Sequence, residues 1–168
     1  MGIGQERKGR VMEQNRSASV AWFKLAELVS RGEKEKTLTL YRLLSHSFDE
    51  RAYVLQVEGD ILWAFEDKEA IGRYKQAAFL YQKENKIHAS IAVYEHIVII
   101  KPDDYESHKN LVLLYAQHGD KEKFMKHFMF LLDLFEKKGV SQGEVLGVID
   151  EIEGISSLLA KRARKLFS

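Results

Sequence analysis

IGRYKQAAFLYQKENKIHASIAVYEHIVIIKPDD, residues 71–104, and YESHKNLVLLYAQHGDKEKFMKHFMFLLDLFEKK, residues 105–138, are one pattern written twice. A shift of 34 residues places Ala77 on Leu111, Ala78 on Val112 and Tyr81 on Tyr115. It also places Asn85 on Gly119, Ile91 on Met125, Tyr94 on Phe128, Ile97 on Leu131 and Val98 on Leu132. Within each copy the apolar residues recur at a helical period of about 3.6 residues. Each copy therefore predicts two helices joined by a very short break, and helices so joined must fold back on each other.

The same punctuation extends in both directions. Ala21, Trp22, Leu25, Leu28 and Val29 form an apolar stripe closed by Arg31-Gly32, and Leu38, Tyr41, Leu44 and Phe48 form the next. Asp49-Glu50 opens a helix carrying Val54, Leu55, Ile61, Leu62 and Phe65, which Glu66-Asp67 breaks. A further helix over 68–83 ends at Asn85-Lys86, and the one after it stops before Pro102. Asp103, with Glu106 three residues on, reads as a capping box. Gly119 and Gly139 close the next two helices, and residues 141–168 predict one or two more with Gly154 as the joint. No stretch alternates as a strand would. At a shift of 33, Ala26, Val29, Thr37, Leu38, Tyr41 and Leu44 precede the unit around Gly59, Leu62 and Ile71. The helix over 68–83 is then claimed both as the second helix of one hairpin and as the first of the next, so the pairing phase of residues 17–70 stays open.

Composition narrows the class. The 168 residues are 45% hydrophobic and 30% charged, the proportions of an ordinary folded domain. A single proline in the whole chain is what a helical protein shows, because proline removes an N–H and clashes inside a helix. The net charge of +1 supplies no global field for nucleic acid or an anionic membrane. With no cysteine there is no disulfide, thiol nucleophile or thiolate metal site, which suits a reducing, cytoplasmic setting. Residues 1–16 are polar with no apolar stretch behind a basic flank, so neither a secretory signal nor a transmembrane segment is expected.

The doubled unit resembles the tetratricopeptide repeat family. Tyr74, Ala77, Ala78, Tyr81, Ser90, Tyr94 and Pro102 occupy that pattern's places in residues 71–104. His108, Leu111, Val112, Tyr115, Phe124, Phe128 and Leu131 occupy them in residues 105–138. The resemblance implies an all-α solenoid of about four antiparallel hairpins over residues 17–138. A flexible polar segment over 1–16 would precede it, and a capping helix or helix pair with a basic end over 139–168 would follow.

The resemblance also implies a concave groove that holds a peptide or helix of another protein. Mapped onto it, Phe23, Trp63 and Phe79 point inward, and Lys75, Lys109, Leu113 and Gln117 line it with Asn110 beside them. The expected partner-binding set is Lys75, Phe79, Lys109, Asn110, Leu113 and Gln117. Some members of the family clamp the free carboxylate of a chaperone's tail. Lys75 and Asn110 match that pattern, whereas Phe79, Val140 and Glu144 stand where Asn, Lys and Arg are needed, and a glutamate repels a carboxylate.

No catalytic, cofactor or metal residue is expected. His46, His88, His96, His108, His118 and His127 form no i, i+4 pair and read as scattered surface or groove residues. Gly-x-Ser-x-Gly is absent, and Gly2, Gly4 and Gly9 precede no Lys-Ser/Thr at phosphate-loop spacing. A protein partner is therefore expected, with no small-molecule substrate. Two alternatives are a small secretion chaperone of the same repeat type, and an anionic-surface or nucleic-acid contact through Lys161, Arg162, Arg164 and Lys165. Four charges on one short helix give weak phosphate affinity, so nucleic acid is the less favoured partner. Ile155, Leu158, Leu159, Leu166 and Phe167 are expected on one face of that helix.

Overall fold

The computed structural model describes residues 19–139 and 141–168. The polar segment over 1–16 lies outside them, as does Val140 of the clamp comparison. Every regular element among the described residues is helical. Residues 19–30 form α1, followed by α2 (Lys34–Ser45), α3 (Arg51–Ala64), α4 (Glu69–Lys83) and α5 (Ile87–Ile100). Then come α6 (Tyr105–His118), α7 (Lys121–Lys138), α8 (Gln142–Ile155) and α9 (Ser157–Phe167). The chain divides into two compact units between Arg73 and Tyr74, inside α4.

In the first unit α2 packs on α3. Leu25, Leu28, Leu38, Tyr41, Leu55, Ile61 and Leu62 are buried, each recurring at helical spacing along its element. The Tyr41 hydroxyl donates to the Val54 carbonyl at 2.7 Å, so the ring is buried without stranding its polar end. The Trp22 ring packs on Tyr41 and Phe48, and Phe48 meets Tyr53 edge-on. Lys34 and Asp67 form an ion pair that ties the start of α2 to the start of α4.

In the second unit α6 is the hub, packing on α5, α7 and α8, while α8 also packs on α7 and on α9. Ala77, Ala78, Leu111, Val112, Phe124 and Phe128 are completely buried. Small residues at 77, 78 and 90 let neighbouring backbones approach, and Tyr74 meets His96 edge-on with centroids 5.0 Å apart.

Left-handed residues end α1, α3, α4, α6 and α7. Gly32 and Glu66 have φ of 71° and 55°, and lie 34 positions apart. Asn85 and Gly119 have φ of 59° and 80°, and are 34 apart again. At Gly32, Glu66 and Asn85 the next residue's N–H reaches back five positions, to Leu28, Leu62 and Tyr81, satisfying carbonyls the helix end leaves open.

Two expected boundaries are corrected. Asp104, not Asp103, caps α6: its side chain accepts from the Ser107 N–H at 3.1 Å, while Glu106 is turned to Lys75. The reciprocal capping box falls instead at Ser141 and Glu144 of α8. Gly154 is not the joint of the C-terminal segment, since it lies within the last turn of α8. The break is Ser156, whose backbone is extended and whose hydroxyl caps α9 through the Leu159 N–H. The expected apolar face is also divided within α9 itself, where neighbouring residues point in different directions around the helix. Leu159, Ala160 and Ala163 face inward, while Leu158 is 65% exposed and Leu166 42%.

Candidate functional site

The six partner-binding residues inferred from the repeat all lie in the second unit, on α4 and α6. Successive turns of α4 carry Lys75, Phe79 and Gln82, and successive turns of α6 carry Glu106, Lys109, Asn110, Leu113 and Gln117. Phe79, Asn110, Leu113 and Gln117 line one cleft of about 390 Å³. Gln82, Lys83, Asn85, Ile87 and Leu114 complete it, and of these Ile87 opens α5. The Phe79 ring is 51% exposed, and the Lys83 ammonium stands 5.2 Å above it. A large apolar ring left half in water beside a concave surface is a place for another apolar group. Around Phe79 and Leu113 the lining is rich in neutral carboxamides, each able to donate and accept.

Lys75 and Lys109 are placed differently. The Lys75 ammonium lies 2.9 Å from Asp104 Oδ2 and 2.6 Å from Glu106 Oε2. Burial works against its charge, but the two carboxylates outweigh that and raise its pKa. Asp104 is the more buried partner. Burial alone would raise its pKa, yet bonds from Lys75, Ser107 and Lys101 hold it down to about 2. This node joins α4 to the start of α6, so Lys75 is an internal tie. Lys109 spans from α6 to Glu151 of α8 at 2.6 Å. Asn110 donates through Nδ2 to the Glu106 carbonyl at 2.8 Å, and its Oδ1 is an acceptor. Lys75 and Lys109 beside the cleft thus already have anions, and the one cation in its lining is Lys83, over the Phe79 ring.

Among the other aromatics singled out by spacing, Phe23 is 78% exposed and Trp63 43% exposed, both in the first unit. Trp22 and Phe65 are half-buried. Tyr53, 41% exposed, escaped notice because it sits at the opening turn of α3 outside the apolar stripe.

The histidines correct the expectation of scattered surface or groove residues. His108 and His127 are buried, and their Nδ1 atoms face each other at 3.1 Å across α6 and α7. Their separation of 19 residues carries no local signal. His88 and His118 also meet, edge-on and exposed. Among the described residues no three metal-ligating side chains converge, and no helix is long and apolar enough to cross a membrane. At the C-terminus Arg164 is held by Glu153 at 2.7 Å and Asp150 at 3.2 Å, while Lys161, Arg162 and Lys165 are exposed. No protein-family model matches the chain, and no curated protein matches it.

Proposed function

We propose that this chain is a helical-repeat interaction module of the tetratricopeptide kind, which holds a segment of a partner protein in the cleft between α4 and α6. The carrying observation is the half-exposed Phe79 beside Leu113, in a cleft whose polar lining is mostly carboxamide. Two further features support a repeat arrangement. The helix-ending turns recur at 34 residues, and α6 packs on α8 as well as on its sequence neighbours α5 and α7. In a stacked array the first helices of consecutive hairpins neighbour each other in that way.

The chemistry of the cleft narrows the partner. Neutral carboxamides pair with the N–H and C=O groups of an extended backbone, and the Phe79–Leu113 surface takes one apolar side chain. Lys75 and Lys109 support this surface by tying α4 to α6 and α6 to α8, and their charges are balanced by Asp104, Glu106 and Glu151. An uncharged apolar peptide fits such a cleft better than an acidic tail does.

Selection of displayed random peptides on the full chain tests this. Enriched peptides should share an apolar anchor and bind the Phe79→Ser, Leu113→Ser double variant at least about tenfold more weakly, with helicity and melting temperature close to wild type. Peptides that bind the double variant as tightly, or the absence of any enriched pattern, would remove the cleft from consideration.

A further inference from the structure

A second cleft of about 220 Å³ in the same unit shares no residue with the first. Val98 and Ile99 of α5, Pro102 and Phe130 of α7 give it apolar walls, and His108, His127 and Lys126 complete it.

The hydrogen bonds fix the state of the two histidines. His108 Nε2 lies 2.8 Å from the Pro102 carbonyl oxygen, which can only accept, so Nε2 carries the hydrogen. A neutral His108 then presents a bare Nδ1. His127 Nδ1, 3.1 Å away, must donate to it. The hydrogen of neutral His127 is thereby used on Nδ1, and its Nε2 is left as a bare acceptor. Among the described residues nothing donates to that Nε2, although His127 is only 6% exposed. The rings are held in place, with Phe130 stacked on His108 and Tyr115 stacked on His127. Burial lowers the pKa of both, and for His127 the neighbouring His108 and Lys126 add to it, bringing it to about 4. Lys123 pushes the same way and Glu95 opposes. Both imidazoles are therefore neutral near pH 7.

We propose that this cleft takes a single phenolic ring, the side chain of a tyrosine carried by a partner protein, with its hydroxyl donating to His127 Nε2. The volume is below the range of about 300–1,000 Å³ usual for drug-sized ligands and suits one ring. The walls are apolar and the polar requirement is one donor, which a phenol meets and a phenylalanine ring does not. Ile99, 75% exposed, and Phe130, 37% exposed, carry apolar surface past the cleft. A free ring would leave that surface wet, whereas the chain flanking a tyrosine would cover it. The exposed Lys126 favours a carboxylate next to that tyrosine. This site stands independently of the Phe79 cleft.

The test is titration of the full chain with 4-cresol, toluene and indole, following the His127 imidazole signals by NMR. 4-Cresol should bind saturably, and toluene at least about tenfold more weakly, because it covers that acceptor without donating to it. Ile99→Asp, at an exposed position, should weaken 4-cresol about tenfold with helicity unchanged. His127→Phe should erase the preference of 4-cresol over toluene; should that variant not fold, the wild-type preference and Ile99→Asp decide the matter. Acetyl-Glu-Tyr-Glu-amide should bind at least about fivefold tighter than 4-cresol and lose that gain in Lys126→Glu. The proposal is overturned by absence of saturable 4-cresol binding, by toluene or indole binding as well as 4-cresol, or by Ile99→Asp binding normally. A peptide no tighter than free 4-cresol overturns the protein-borne tyrosine.

Discussion

Residues 19–73 and residues 74–168 face the same problem, ending one helix and starting the next, and handle it by different means. In the first unit the residues before α2 and α3 are Glu33 and Glu50, and neither makes a side-chain cap hydrogen bond. Gly32 ends α1 at φ 71° and Asp67 accepts from the Glu69 N–H at 2.8 Å where α4 starts, but the turn before it uses Glu66 at φ 55°, a left-handed conformation in which a side chain is crowded. In the second unit Asp104, Asp120, Ser141 and Ser156 cap α6 to α9 with a side-chain oxygen, and only α5, entered at Lys86, starts without one. Its left-handed positions are Asn85, Gly119 and Gly139, residue types that tolerate that conformation. Most boundaries in the second unit are therefore encoded locally. The starts of α2 and α3 in the first lack such a signal, and packing holds that region through the Trp22, Tyr41, Phe48 and Tyr53 rings and the Tyr41–Val54 hydrogen bond.

The largest effect that would break this contrast is at Asp104. Asp104→Ala removes the cap of α6 and one of the two carboxylates that balance the partly buried Lys75. A lost cap costs about 1 kcal/mol, and a broken, largely buried pair adds to it, so urea denaturation should show a loss of about 3 kcal/mol. Lys75→Glu should destabilise by a similar mechanism, which sets it apart from substitutions of the exposed cleft residues.

Acid should act next, in two windows. Folded His127 titrates at about 4, below the ordinary histidine value of about 6.5. The unfolded chain then takes up the proton first, so the stability this group contributes is complete above about pH 6.5 and declines as pH falls toward its folded value. Folded Asp104 titrates at about 2, below the usual carboxylate value of about 3.9. Its contribution is present above that value and is lost as pH falls through the folded one. Melting temperature against pH should show both declines, with His127→Phe flattening the upper and Asp104→Ala the lower.

Smaller changes should bring the first unit closer to the second. Glu66→Gly relieves the left-handed side chain and should stabilise by about 0.5–1 kcal/mol, less than the full steric cost because glycine also frees the unfolded chain. Glu50→Ser supplies a capping oxygen where the backbone is already extended and should add about 0.5 kcal/mol. Thermal melts of both variants would show whether uncapped ends are what set the first unit apart.

The same contrast explains what could be read in advance. Gly119 and Gly139 end α6 and α7 where their residue types announce it, and Glu66-Asp67 and Asn85-Lys86 were visible as breaks in apolar period. The pairing phase of the first unit was not visible, because similarly short breaks separate all of its helices and periodicity does not say which neighbours pair. The joint at Ser156 was missed because a glycine two residues earlier looked like the stop, though Gly154 needs no special backbone. The mapping onto the repeat family singled out Phe79, Asn110, Leu113 and Gln117, and these four line one cleft. It could not show that Lys75 and Lys109 are neutralised, since Glu106 and Glu151 come from a different helix in each case. Nor could it show the His108–His127 pair, because a helical period tells which face a residue occupies and not what it meets.

The central claim is that the Phe79–Leu113 cleft holds its partner through an apolar anchor and uncharged amides. The most direct test is the dissociation constant of a selected peptide, measured on the full chain at about 50 mM and about 500 mM NaCl, where screening differs several-fold. The constant should change less than about threefold with salt, and Leu113→Asp should raise it at least about tenfold at either concentration. A dissociation constant that climbs tenfold with salt, or that ignores Leu113→Asp, would contradict the account.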